Sequence, residues 1–135
     1  MGGGGISNEI NGVVTIVNST ISNNSAGTQA GGGINSIAAV TVINSTISGN
    51  QSDLGGAGIA TNGVAASLNV INATITNNRA NADNDALGGG GGIEISVDTT
   101  ATLHNSIVAG NFRGSGSTRD DVSGTVAGAS SFNLI

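Results

Sequence analysis

Val14-Thr-Ile-Val-Asn18-Ser-Thr-Ile-Ser-Asn-Asn24 decides the fold, because the chain carries three more versions of it. They read Val40-Thr-Val-Ile-Asn44-Ser-Thr-Ile-Ser-Gly-Asn50, Leu68-Asn-Val-Ile-Asn72-Ala-Thr-Ile-Thr-Asn-Asn78 and Ala101-Thr-Leu-His-Asn105-Ser-Ile-Val-Ala-Gly-Asn111. Their first asparagines are 26, 28 and 33 residues apart. Ahead of each stands a glycine-rich element ending in isoleucine: Gly3-Gly-Gly-Ile6, Gly31-Gly-Gly-Ile34, Gly56-Ala-Gly-Ile59 and Gly90-Gly-Gly-Ile93. The length differences fall between the second asparagine and the next glycine run, as expected of a loop. A repeat of this period marks a stacked architecture, in which each unit buries its apolar face against the next.

The apolar residues alternate with period two (Val14 and Ile16, Val40 and Val42, Leu68 and Val70), which is strand spacing and not helix spacing. Hairpins would need a tight turn between every pair of strands, and only Asn11-Gly12 and Asn62-Gly63 supply one. Three short strands per repeat account for the pattern: the Gly-x-Gly-Ile strand, the strand ending at the first asparagine, and the strand ending near the second. The chain therefore reads as an all-β parallel β-helix (a β-solenoid) of about four to five rungs, roughly 22 Å long at the inter-strand spacing of about 4.8 Å. Rungs are expected over residues 1–119, with repeats near 3–30, 31–55, 56–87 and 88–119, and a terminal rung or C-terminal cap over 120–135. Composition agrees. Despite 24 Gly, 37% of residues are hydrophobic and mean hydropathy is +0.17, and a β-branched apolar set favours ordered strands over a flexible linker.

Alternation assigns the faces. Val14, Val40, Leu68 and Ala101 are expected inside, with Ile16, Val42, Val70 and Leu103, and with Ile21, Ile47, Ile75 and Val108. Asn18, Asn44, Asn72 and Asn105 are expected to form a structural ladder of amides, buried at the corner between two strands and bonded rung to rung. Outside, Thr20 and Ser22, Thr46 and Ser48, and Thr74 and Thr76 make a hydroxyl ladder. Val17, Ile43 and Ile71 make an apolar stripe suited to association with another chain.

The pairing of Ile-x-x-Asn (Ile21 to Asn24, Ile47 to Asn50, Ile75 to Asn78, Val108 to Asn111) with a following Gly-Gly-Gly-Ile or Gly-Ala-Gly-Ile resembles the polymorphic outer membrane protein repeat. Ile or Val stands where that repeat usually has Phe. The closing Ser130-Ser131-Phe132-Asn133-Leu134-Ile135 looks like the segment ending such helices in large, anchored surface proteins. The resemblance covers nearly the whole chain. It implies a right-handed single-stranded β-helix from a bacterial secreted or cell-surface protein, adhesin-like in role. Met1 directly precedes a repeat, so the chain is expected to be a piece of a longer protein, and the lack of a signal peptide weighs little.

Charge narrows the partners. Net charge is −5, from eight carboxylates and three arginines (Arg79, Arg113 and Arg119), with no lysine. Such a surface does not neutralise a run of phosphates, so no nucleic acid is expected. No apolar run is long enough to span a bilayer, so no direct membrane insertion is expected. The expected partners are a glycan or host-surface ligand, and a second copy meeting the open end of the helix or the lateral stripe.

Catalysis on a β-helix needs paired carboxylates facing one groove, or a metal with a strong base. Glu94 and Asp98 lie four apart, Asp120 and Asp121 are adjacent, and Glu9 aligns near Ile37, but none recurs across rungs. The lysine and arginine set of pectate-lyase-like enzymes is missing, and so is the Gly-His-Gly motif of polygalacturonases. His104, the sole histidine, falls in the outward column of Val17, Ile43 and Ile71 and reads as a surface residue. Asp83 and Asp85 are the candidates for a structural calcium, but the segment lacks the Glu that closes an EF-hand loop, and an acidic loop is the simpler reading. The glycine runs match neither phosphate-binding fingerprint, and no cofactor is expected. The function expected is a non-catalytic scaffold for adhesion or spacing. The rivals are a carbohydrate-active β-helix whose catalytic rungs lie elsewhere, and ice or regular-surface binding through the hydroxyl ladder.

Overall fold

The computed structural model describes residues 2–85 and 88–135. The expected boundary between the third and fourth repeats touches Leu87, which lies outside the described residues. The first coil holds β1 (Ile6–Asn8), β2 (Val13–Val17) and β3 (Thr20–Ser22), and the second holds β4 (Ile34–Ser36), β5 (Ala39–Ile43) and β6 (Thr46–Ser48). The third adds β7 (Ile59–Thr61), β8 (Ser67–Ile71), β9 (Thr74–Thr76) and β10 (Arg79–Ala80). The fourth has β11 (Ile93–Ile95), β12 (Thr100–His104), β13 (Ile107–Val108) and β14 (Phe112–Arg113), and β15 (Thr118–Arg119) and β16 (Val122–Ser123) follow.

Coil stacks on coil in three parallel sheets, here A (β1-β4-β7-β11-β16), B (β2-β5-β8-β12) and C (β3-β6-β9-β13). The molecule is a right-handed parallel β-helix. Register holds along the stack: Val14 lies opposite Val40, Val40 opposite Leu68, and Leu68 opposite Ala101. The reason is the alternation itself, since a slip of one residue would turn every inward Val and Ile outward. Val40, Val42, Ile47, Val70, Ile75 and Leu103 are fully buried, each stabilising by roughly 1.5–3 kcal/mol relative to exposure. Residues 120–135 lay down a partial fifth coil: Val126 bridges Ala101, Ser131 bridges His104 and Leu134 bridges Ile107, all in parallel. Among the described residues the one antiparallel pair, β14 with β15, is a short side hairpin, where Arg79 and Arg119 lie over the Phe112 ring.

The expected asparagine ladder needs a correction. Asn18, Asn44, Asn72 and Asn105 do stand at the corner between sheets B and C, but they are exposed. Their φ values of 50°, 49°, 52° and 49° place them in the left-handed region, which Asn tolerates better than most residues. A single amide contact, Asn72 Nδ2 to Asn44 Oδ1 at 3.2 Å, runs along this column. The buried ladder is made instead by the second asparagine of each repeat. Asn24, Asn50 and Asn78 each donate through backbone N–H and Nδ2 to the Oδ1 of the next coil's asparagine, at 2.9–3.1 Å. Nδ2 of Asn50, Asn78 and Asn111 also donates back to Ile21, Ile47 and Ile75 O. Asn50, Asn78 and Asn111 are 0% exposed, so the bonds from Asn50 to Asn78 and from Asn78 to Asn111 are made out of water's reach.

The same ladder explains the glycine that precedes each sheet A isoleucine. A Cβ on Gly33, Gly58 or Gly92 would sit 3.1, 3.1 or 2.8 Å from Nδ2 of Asn50, Asn78 or Asn111, and closer still to a carbonyl of the next coil. The Gly-Ile and x-x-Asn halves of the repeat are thus two sides of one packing contact. At the fifth coil Asp121 takes the glycine's place before Val122, and its Oδ1 accepts from Asn111 N–H at 2.7 Å and Nδ2 at 2.9 Å.

Candidate functional site

Four outward features are candidates for function, each set by the strands beneath it. On sheet C, Thr20, Thr46 and Thr74 lie opposite one another, as do Ser22, Ser48 and Thr76. The result is two parallel columns of hydroxyls, with Ile107 closing the first. On sheet B, Val17, Ile43 and Ile71 stack in register and His104 completes the column. Val17 is 45% exposed, Ile43 and Ile71 are half-buried, and His104 Nδ1 lies 3.1 Å from Ser131 Oγ of the fifth coil. The stripe is therefore three apolar residues long and ends in a polar pair.

A groove that the sequence reading missed follows the corner between sheets A and B. It encloses about 630 Å³ and is lined chiefly by Ile10, Val13, Ile37, Ala39, Asn62 and Val64. Ile10, Val13 and Val64 are 74–84% exposed at its rim. The only signal for it in the sequence is that the turns between the first and second strands of each repeat carry isolated aliphatic residues.

The fourth feature is a recess of about 370 Å³ over sheet A, where Gln29, Asn35, Leu54, Gly55, Asn62 and Glu94 meet. Glu94 is the middle residue of β11 and points outward between inward Ile93 and Ile95. Its carboxylate presses on Gly55, where a Cβ would approach it to 2.4 Å. Burial pushes the Glu94 pKa above its ordinary value, and the nearby charge of Asp120 pushes in the same direction. Asp120 itself sits 3.7 Å from Arg113 Nε. Sequence spacing had set Glu94 beside Asp98, but Asp98 stands exposed in the turn before β12. Asp120 is the acid that Glu94 feels, because β16 pairs directly with β11. That pairing is hard to read from sequence, since the hairpin of β14 and β15 stands between.

Asp83 and Asp85 are exposed, and Asp83 Oδ1 accepts from the Asp85 amide at 3.4 Å. Among the described residues no three His, Cys, Asp or Glu side chains converge in a way that would hold a metal ion. Glu9 accepts from Ser7 Oγ at 2.9 Å, in the first coil and far from Glu94 in the stack. Among the described residues no helix is long and apolar enough to cross a membrane. No protein-family model, curated protein or solved structure matches the chain.

Proposed function

We propose that this chain is a non-catalytic β-helix segment of a secreted or surface-exposed bacterial protein, serving as a scaffold whose outer faces adhere to a glycan or similar hydroxyl-rich surface. The observation that carries the reading is the pair of hydroxyl columns on sheet C. Six Thr and Ser side chains stand there in strict register on a rigid support. A β-branched residue with an outward hydroxyl both favours the strand and offers a donor and an acceptor to a repeating polar ligand. The inner asparagines, by contrast, are engaged in holding coil to coil. The test is retention on an array of immobilised neutral and acidic glycans. The parent is compared with a Thr20→Val/Thr46→Val/Thr74→Val variant, which keeps the side-chain shape and removes one hydroxyl column. Retention of the parent, reduced at least tenfold in the variant, is expected. Equal retention of both proteins, or none of either, refutes the reading, and thermal hysteresis in ice growth without glycan retention would favour the ice-binding alternative.

A second reading, a carbohydrate-active β-helix, draws support from one observation: a half-buried acid, Glu94, held near a second acid, Asp120, in a recess. A raised pKa keeps the Glu94 proton to higher pH in the folded chain than in the unfolded one. Its contribution therefore stabilises the fold at low pH and is lost as pH rises through the raised value. Glu94→Gln is expected to remove that part of the pH dependence of the urea midpoint. Release of reducing ends from acidic glycans by the parent, abolished in Glu94→Gln, would favour the enzyme over the scaffold.

A further inference from the structure

We infer that the side hairpin carries a binding site for a small hydroxylated carboxylate, such as one uronate residue of an acidic glycan, held between Arg113 and the amide of Asn81. The site is separate from the hydroxyl columns of sheet C and does not rest on what they bind. It starts from charge. The chain has a net charge of −5 and only three cations, yet all three stand on one small sheet, with Arg79 on β10, Arg113 on β14 and Arg119 on β15. Two of them are occupied. Arg79 Nη1 donates to the carbonyls of Gly114 and Gly116, the latter at 2.8 Å, and so holds the hairpin turn. Both Arg79 and Arg119 lie over the Phe112 ring. Arg113 is different. Its side chain is 49% exposed, its Nε lies 3.7 Å from Asp120, and among the described residues its two terminal nitrogens have no partner.

Arg113 lines a recess of about 340 Å³ together with Asn81, Asn84, Gly114 and Thr118. That is the small end of ligand sites, with room for one sugar residue. Local bonds build its walls. Gly114 N–H donates to Ala80 O at 3.0 Å, and Ser115 N–H donates to Asn84 Oδ1 at 3.3 Å, which ties the hairpin turn to the loop after β10. The inner wall is Asn81, 4% exposed, with a left-handed φ of 49°. Its backbone is fully used, the N–H on Leu54 O and the carbonyl on Asn84 N–H, both at 3.1 Å. Its side chain is not. Among the described residues Asn81 Oδ1 is the one buried side-chain polar atom without a hydrogen-bond partner. Buried amides of the inner ladder are bonded at both ends, and leaving one bare costs free energy that a bound group would recover.

The two sides of the recess then specify the ligand. The guanidinium calls for an anion, and its two free terminal nitrogens suit the two oxygens of a carboxylate. A metal cation is disfavoured beside that charge, and Asp83 and Asp85, on the same loop, do not line the recess. The amide calls for a neutral polar group. A ligand hydroxyl donates to Oδ1 or accepts from Nδ2, and the broad two-fold torsion of an Asn amide lets either atom face the recess. A carboxylate with a neighbouring hydroxyl carries both groups, and uronates and small hydroxy acids share that chemistry.

The test is an NMR titration of the isotope-labelled chain, read at the Asn81 side-chain amide and the Arg113 Nε–H. Sodium galacturonate is expected to shift both signals saturably. Galactose has the hydroxyls without the charge, and acetate has the charge without the hydroxyls. Each forfeits one of the two contacts and is expected to bind about tenfold more weakly, or worse. Asn81→Gly keeps the left-handed backbone and removes the amide, and Arg113→Gln removes the charge from an exposed position. Each is expected to raise the galacturonate Kd by a similar factor, in a chain whose spectrum is unchanged away from the hairpin. Trigalacturonate separates the two sources. Tighter binding than galacturonate places the ligand in an acidic glycan, and equal binding makes it a free hydroxy acid. The absence of any saturable shift with galacturonate overturns the inference. So do equal affinities for acetate and galacturonate, undiminished binding by Asn81→Gly, and a response of the Asn81 amide to calcium chloride in place of galacturonate.

Discussion

Each coil has one asparagine at the B–C corner and one after sheet C, six residues on, and the two do opposite work. Asn50 and Asn78 are sealed inside, and both ends of their amides bond to neighbouring coils. Asn44 and Asn72 stand in water, and the distinctive feature is their backbone, at φ 49° and 52°. The inner column is chosen for what the side chain reaches, the outer one for what the main chain tolerates. The fifth coil separates the two demands. The inner column ends in Asp121, which still provides the acceptor, whereas the outer one ends in Phe132, which keeps the left-handed φ of 57° and has no amide at all.

The largest expected effect comes from breaking the inner column in its middle. Asn78→Ala removes the acceptor of two donors on Asn50 and leaves them buried. Each unsatisfied buried group costs about 1–3 kcal/mol, so a loss of about 3 kcal/mol or more is expected in urea unfolding. Asn44→Ala is the matched change in the outer column. It leaves no buried group unpaired, and costs roughly 1 kcal/mol through the left-handed backbone that Ala adopts poorly. Asn44→Gly sharpens the contrast, because Gly accepts that backbone without penalty and stability should stay within about 0.5 kcal/mol of the parent. Equal losses from Asn44→Ala and Asn44→Gly would mean that the exposed contact from Asn72 matters more than the turn.

Much of this was legible in the sequence, and the part that was not has a physical reason. Period-two alternation around Val14, Val40, Leu68 and Ala101 fixes strands, faces and register together, because each is a local consequence of the same spacing. The inward role of Asn24, Asn50, Asn78 and Asn111 was harder to see, because a left-handed residue intervenes and shifts the parity of the strand. That residue is Asn23, Gly49, Asn77 or Gly110, with φ between 56° and 74°. The exchange of Asn for Gly there is itself a signal of a backbone requirement, and the unbroken Asn that follows is a signal of a side-chain one. The closeness of Glu94 to Asp120 was beyond reach for another reason. It depends on the partial fifth coil, where the repeat collapses and Asp121 follows Asn111 by only ten residues.

A small expected effect of the opposite sign lies beside the outer column. The residue after each corner asparagine is Ser19, Ser45, Ala73, Ser106 or, one after Phe132, Asn133. In three of the four steps its side-chain oxygen accepts the backbone N–H of the coil before: Ser19 to Ser45 Oγ at 3.1 Å, Ala73 to Ser106 Oγ at 3.2 Å, and Ser106 to Asn133 Oδ1 at 3.0 Å. The missing step is the Ser45 amide, which faces the methyl of buried Ala73. Each serine also donates its own proton to the carbonyl two residues back, as Ser45 does to Ile43 and Ser106 to His104. A serine at position 73 would find that second partner in Ile71 and hand its oxygen to Ser45. Ala73→Ser is therefore expected to stabilise by about 0.5–1 kcal/mol, the net gain from a buried hydrogen bond whose donor is already in place. The mirror change, Ser106→Ala, removes the acceptor of the Ala73 amide and should cost about 1 kcal/mol. Urea midpoints of the two variants measured against the parent check both signs. Destabilisation by Ala73→Ser would mean that the third coil has no room for the hydroxyl, and that the small residue there is chosen for packing.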